Sequence, residues 1–198
     1  MNAKELFELI KSEIFLPNFT EFEWFLFVIV SNNTKFEKSI KGMESLKSGG
    51  ILEFENLVNI DQNSLEELIK PSGFYKTKAK TLLNLSSEIL KNFGKFESFT
   101  KNLDMEWLYS IKGVGLESAD LIALLVSKRD IMPVSTDALK ILGFLGYEFE
   151  SYFEAREWLD LGDYSKNLEF YFNIKEFVKK HFKGREILQS GAEILKNL

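Results

Sequence analysis

The chain has 198 residues, with 25 Lys and Arg against 30 Asp and Glu, a formal charge of −5, one histidine and no cysteine. That length buries a core as one globular unit or as two small lobes, and the missing thiols exclude a disulfide framework, a zinc ribbon, a thiol nucleophile and a cysteine-ligated iron–sulfur cluster. The single His181 excludes a multi-histidine metal site, while the acidic balance neither favours nucleic acid nor excludes it, because binding needs a local basic patch rather than a global sign.

The amino terminus has no charged lead before a long apolar run, and no stretch of about 18 apolar residues occurs, so the expectation is a soluble, cytoplasmic protein. Pro17, Pro71 and Pro133 all interrupt the apolar period and mark joints between elements. Four pairs, Thr20 with Glu23, Thr34 with Glu37, Ser64 with Glu67 and Ser151 with Glu154, have the Ser/Thr-x-x-Glu spacing of a capping box. The run Phe22 to Val30 has the propensity of a buried strand, but the cap at Thr20 and the lack of an alternating partner favour a helix. Leu116, Ala119, Ile122, Ala123 and Val126, then Ala138, Leu139, Leu142 and Leu145, keep the three-and-four spacing of a helix. The expected helices span 4–14, 20–31, 34–48, 63–69, 74–93, 103–110, 115–127, 136–146, 151–160, 164–182 and 186–196, with no set of strands. Nineteen phenylalanines against 3 Trp and 6 Tyr predict an interior of packed phenylalanine, with Trp107 and Trp158 as core anchors.

Two stretches point to chemistry. Between Lys70 and Lys101 stand seven lysines, Lys76, Lys78 and Lys80 among them, against Glu88 and Glu97, a local +5 that reads either as a solvated face or as a phosphate-facing strip. At Lys112-Gly113-Val114-Gly115 a helix gives way to a hairpin and a second helix begins. Glycines there permit positive φ and close approach of a backbone, and the helix start presents unpaired amides, which together suit a phosphodiester. A tight helix–helix connection explains the same residues.

Three blocks, Asn33-Thr34-Lys35-Phe36-Glu37, Lys70-Pro71-Ser72-Gly73-Phe74-Tyr75 with Lys78-Ala79-Lys80, and Gly113-Val114-Gly115-Leu116-Glu117-Ser118-Ala119-Asp120, resemble the helix-hairpin-helix DNA glycosylases of the endonuclease III superfamily. Within that superfamily the chain is similar to the bacterial 3-methyladenine DNA glycosylase III branch, from about Pro17 to the last helix. The resemblance implies an all-α, two-lobed fold with a DNA groove between the lobes. One lobe would span about 30–133, with the helix-hairpin-helix at 103–127, and the other 1–29 plus 134–198.

The resemblance also assigns positions. The superfamily's lyases carry a Schiff-base lysine two residues after the second hairpin glycine, where Glu117 stands here, so lyase action is not expected. The family's aspartate, which stabilises positive charge on the sugar, falls 18 residues on, at Ser135. A hydroxyl is a dipole and not a charge, so it does not match a carboxylate facing an oxocarbenium-like transition state. Three readings stand: Asp137 substitutes, or an already cationic alkylated base leaves without that charge, or the chain binds lesions without cutting. The base pocket maps to Phe15, Leu16, Pro17 and Phe36, with core packing as the other reading of Phe36. Asn32 lies where relatives have a gap-filling glutamine, or is a plain loop residue. Arg185 takes the place of a pocket lysine, and a Glu117–Arg185 pair would offset its charge. His181 reads as structural.

The leading expectation is hydrolytic excision of 3-methyladenine from double-stranded DNA by a monomer, with no cofactor and no iron–sulfur cluster; the resemblance allows a monovalent cation on the hairpin carbonyls. DNA contacts fall to Asn32, Lys76, Lys78, Lys80 and Lys112 to Gly115. The alternatives are a catalytically impaired lesion-binding protein on the same scaffold and, more weakly, an all-helical protein-interaction module.

Overall fold

Short polar side chains open most of the helices in the computed structural model, which describes residues 1–196. In chain order these helices are α1 (Ala3–Ile10), α2 (Glu21–Ser31), α3 (Phe36–Ser48), α4 (Phe54–Asn59), α5 (Gln62–Ile69), a 3-10 turn (Lys70–Ser72), α6 (Tyr75–Phe93), α7 (Phe96–Lys101), α8 (Met105–Ser110), α9 (Leu116–Leu125), α10 (Thr136–Phe144), α11 (Tyr152–Leu159), α12 (Tyr164–His181) and α13 (Gln189–Lys196). A small antiparallel hairpin, β1 (Phe182–Lys183) with β2 (Glu186–Ile187), precedes α13. Asn2, Thr20, Asp61, Asp104, Ser135, Ser151 and Asp163 each accept a backbone amide of the following helix, satisfying donors that no intrahelical carbonyl can reach. This is the all-α architecture expected from the sequence.

The chain divides into two compact units, 18–128 and Met1–Pro17 together with the chain from Arg129 onward. The sequence reading put the divisions near 29/30 and 133/134, and the difference falls mainly on α2. That helix buries Phe22 and every residue from Phe25 to Val30, so beyond its first turn it has no solvent face, and it packs on α3, α6 and α9 of the 18–128 unit. Helix α9 is likewise buried from Ser118 to Leu125. Around α2, Phe22, Phe25, Phe54, Phe96 and Phe99 meet with ring centroids between 5.3 and 6.3 Å, a geometry worth about 0.5–1.5 kcal/mol per pair beyond area burial. Trp107 closes this cluster against Phe93 at 4.9 Å.

The other unit is organised by α12, which buries Phe170, Tyr171, Ile174, Phe177 and Val178 and packs on α1, α10 and α13. Phe7 meets Phe170 edge-on at 5.5 Å, and Trp158 packs on Tyr147 at 4.7 Å. Asn167, fully buried, donates from Nδ2 to Asp130 at 2.8 Å and to Asp160 at 2.6 Å, tying the segment before α10 to the α11–α12 connection. Burial and then Asp160 hold the Asp130 carboxyl above its usual pKa.

Several local expectations change, and α1 ends at Ile10 where the sequence reading ran to 14. Helices α4 and α7, six residues each, were not expected; each begins on a buried phenylalanine, Phe54 and Phe96, too short to show a period. Asp61, not Ser64, caps α5, and the Thr34 hydroxyl is used elsewhere, leaving Lys35 as a cap residue without a side-chain bond. Strands β1 and β2 replace the loop and first residues of the last expected helix, because Gly184 turns the chain at φ +66°. Among the described residues no helix is long and apolar enough to cross a membrane.

Candidate nucleic-acid interface

In the 18–128 unit the hairpin joins α8 to α9 through Ile111 to Gly115. Gly113 has φ +95°, and a Cβ there would lie 2.7 Å from Thr81 Oγ1, so both backbone conformation and space require glycine. Gly115 differs: its φ is −81° and a Cβ would meet nothing within 4 Å. It opens α9 with no side-chain cap, so no protein oxygen covers the first amides of the helix from this position. Asp120, fully buried on α9, accepts from Tyr109 Oη at 2.5 Å and pins the two helices together. Lys112 is exposed, and its carbonyl accepts Asn84 Nδ2 at 3.2 Å; Ile111 O accepts Val114 N at 3.1 Å. The Val114 side chain is buried, so only its backbone can face a ligand.

Glu117 is half-buried in the first turn of α9. Its neighbour Ser118 is buried and pairs with Asn32, the residue after α2. Asn32, which the resemblance sets where relatives have a gap-filling glutamine, is therefore anchored on the turn that carries Glu117.

Two of the three blocks that carry the family resemblance converge on one buried cation. Lys78, 4% exposed, donates from Nζ to Val30 O at 2.7 Å, Thr34 Oγ1 at 2.6 Å and Ser72 O at 3.0 Å. Burial lowers its pKa to about 8. Lys78 was expected to face phosphate; it points inward instead, where its three N–H groups find three oxygens, and cannot also contact DNA. Lys76 and Lys80, on the same helix, are exposed.

Two aromatic side chains of this unit stand in solvent. Phe36, 47% exposed, leans on Phe27 at 6.1 Å, so it is not a core residue. Phe74, 70% exposed, was missed by the sequence reading. It has φ +48°, rare for a bulky side chain, directly after Gly73 at φ +66°, and Lys76 and Lys80 follow it. The signal available was a phenylalanine at the Ser72-Gly73 turn, outside any apolar period.

In the other unit Ser135 is fully buried, and its Oγ accepts Ala138 N at 3.1 Å as the cap of α10. Asp137, the substitute carboxylate of one of the three readings, accepts Lys140 Nζ at 2.9 Å and has Lys175 Nζ at 3.8 Å. Two ammonium groups thus already occupy its charge. Phe15 is 83% exposed in the extended segment before α2, with Leu16 and Pro17 part-exposed beside it. Arg185 is exposed in the turn between β1 and β2. His181 lies on Phe177 at 4.7 Å, and its Nδ1 is 2.9 Å from Ser190 Oγ.

Residues 26–180 match the family described as HhH-GPD superfamily base excision DNA repair protein. A protein of Methanocaldococcus jannaschii provisionally named a DNA repair glycosylase, MJ1434, is 33% identical over 175 residues, 84% of this chain and 79% of its own. The crystal structure of the H. pylori 3-methyladenine DNA glycosylase MagIII bound to 1,N6-ethenoadenine is similar with TM-score 0.83 and 32% identity, over 91% of this chain and 98% of that one. A trapped endonuclease III–DNA covalent intermediate shares the fold with TM-score 0.76 at 15% identity, over 99% of this chain and 100% of that one. The hairpin with its required Gly113, the all-α build and these likenesses together place the chain in the HhH-GPD superfamily of base excision DNA repair glycosylases.

Proposed function

We propose that this glycosylase excises 3-methyladenine from duplex DNA by hydrolysis alone, without cutting the strand. The observation that carries the reading is Glu117 in the first turn of α9, at the position where the superfamily's lyases have their lysine. A carboxylate cannot condense with C1′ to form a Schiff base, so the route open is addition of water. The similarity to a 3-methyladenine glycosylase over nearly the whole of both chains supports the substrate.

The chemistry makes modest demands of the protein. Adenine alkylated at N3 is already cationic; when the glycosidic bond breaks, its electron pair discharges the base, which leaves neutral without a proton donor. Water then bonds to C1′ and releases its proton. The extruded base needs an apolar face, for which the exposed Phe36 is the candidate in the 18–128 unit. Phe74, an exposed ring followed by cationic side chains, suits insertion into the opened base stack. Lys76, Lys80 and Lys112 would meet phosphates, as would the amides that open α9 after Gly115. The carbonyls of Ile111 and Lys112 each keep a second lone pair that a monovalent cation would share.

Ser135 supports a second reading, a lesion-binding protein that cuts poorly. Its buried hydroxyl is committed to Ala138 N, a structural task that an aspartate would perform equally while adding charge. Release of free 3-methyladenine from methylated duplex DNA separates the two readings.

A further inference from the structure

We propose that Lys78 is a positioning residue: its buried ammonium clamps the end of α2, the 32–35 loop and the Ser72-Gly73 turn into one frame that sets the spacing of Asn32, Phe36 and Phe74. The inference rests on the DNA-glycosylase reading for its consequence but on geometry for its content.

The three acceptors come from three separate segments. Val30 O lies in the last turn of α2, Thr34 Oγ1 in the loop leading to α3, and Ser72 O at the end of the 3-10 turn. Thr34 Oγ1 in turn lies 2.6 Å from Ser72 O and 3.0 Å from Asn32 O, so loop and turn are joined directly as well. Each segment ends in a residue placed for DNA: Asn32 two residues after Val30, Phe36 two after Thr34, Phe74 two after Ser72. Phe74 holds φ of +48°, a left-handed conformation that so bulky a side chain keeps only where its surroundings fix it, and Asn33 turns the loop at +51°.

Every polar partner of Nζ among the described residues is a carbonyl or hydroxyl oxygen, and the charged side chains of the same segments, Lys35, Glu37, Lys70, Lys76 and Lys80, stand exposed. The cation is therefore held without a counter-ion. Burial alone depresses its pKa, so charge is lost on raising pH through about 8. A neutral amine keeps two N–H donors for three acceptors, and the frame loosens. Stability moves the other way: with the folded pKa below the unfolded value of 10.5, the unfolded chain binds more protons between those values, and raising pH there favours the fold. Looser geometry with undiminished stability is a signature that simple unfolding does not give.

The test uses the full chain, with amide resonances of Asn32, Phe36 and Phe74 followed from pH 6.5 to 9.5, and affinity for an abasic-site duplex measured over the same range. The expected result is a shared midpoint near pH 8 in the three amides, affinity falling on the order of tenfold across it, and a thermal midpoint that does not fall. In Lys78→Met the titration should vanish and affinity stay low at every pH, while Lys78→Arg, charged throughout, should retain at pH 9.5 the affinity it has at pH 6.5. Amides and affinity that are flat with pH, or a Lys78→Met chain that binds as the native one does, would overturn the proposal. If Lys78→Met does not fold, the native titration decides. Base release is measured separately: a chain that titrates as described but releases no base keeps the positioning role and loses the excision reading.

Discussion

Asn32 Nδ2 donates to Ser118 Oγ at 3.0 Å, and Ser118 Oγ lies 3.3 Å from Asn32 Oδ1. The amide at the end of α2 is thereby stored on the first turn of α9, one residue from Glu117. An amide that enters DNA to fill the space of an extruded nucleotide must first leave this serine. Ser118→Ala is therefore expected to lower stability by about 1 kcal/mol, as for one lost hydrogen bond, while leaving affinity for abasic-site duplex unchanged or tighter. Asn32→Ala should weaken that affinity. Denaturant unfolding and fluorescence binding read the two effects, and equal losses of affinity in both variants would contradict the storage role.

The two hairpin glycines separate structure from function. Gly113→Ala meets both a positive φ and Thr81 Oγ1 at 2.7 Å, and should cost on the order of 1–3 kcal/mol of stability. Gly115→Ala meets neither and should leave stability equal or slightly raised, yet DNA affinity should drop, since a methyl would stand where a phosphate approaches the helix start. Thermal denaturation with parallel binding assays distinguishes them. A Gly115→Ala chain that binds normally would remove the hairpin from the interface.

Salt dependence sorts the lysines. Lys76→Ala, Lys80→Ala and Lys112→Ala should each reduce the slope of log affinity against log salt by about 0.9, the value for one phosphate contact. Lys78→Met should lower affinity without changing the slope, because its ammonium lies among protein oxygens.

Exchanging Glu117 tests the assignment of reaction class. Glu117→Lys places an amine where the family's lyases carry theirs, and borohydride trapping on abasic DNA should yield a covalent adduct with this variant and none with the native chain. Trapping of the native chain would refute the hydrolytic assignment.

The helical fold was legible because its signals are local. The box at Thr20 and Glu23 forms as read, and α2, buried at every position from Phe25 to Val30, is the buried helix that its cap favoured over a strand. Helices α4 and α7 were not legible, since six residues do not complete two turns of pattern. The hairpin's backbone was legible at Gly113, where positive φ demands glycine, and side-chain surroundings were illegible where tertiary partners decide. Lys78 shares its surroundings in sequence with Lys76 and Lys80, and only the fold turns it inward onto Val30 and Ser72. Asp137 looked available because Lys175 is 38 residues away. Phe74 carried no periodic signal, and its exposure follows from the left-handed turn at Gly73-Phe74.

The central claim is that a chain with Glu117 and a buried Ser135 cap still releases base. Free 3-methyladenine should be assayed from methylated duplex DNA with the native chain, Ser135→Asp and Glu117→Gln side by side. The account predicts release by the native chain with the strand left intact, and faster release by Ser135→Asp, which keeps the cap on α10 and adds a charge for the developing oxocarbenium. Binding of the methylated duplex by the native chain with no release, and release by Ser135→Asp alone, would contradict it and make this chain a lesion-binding scaffold.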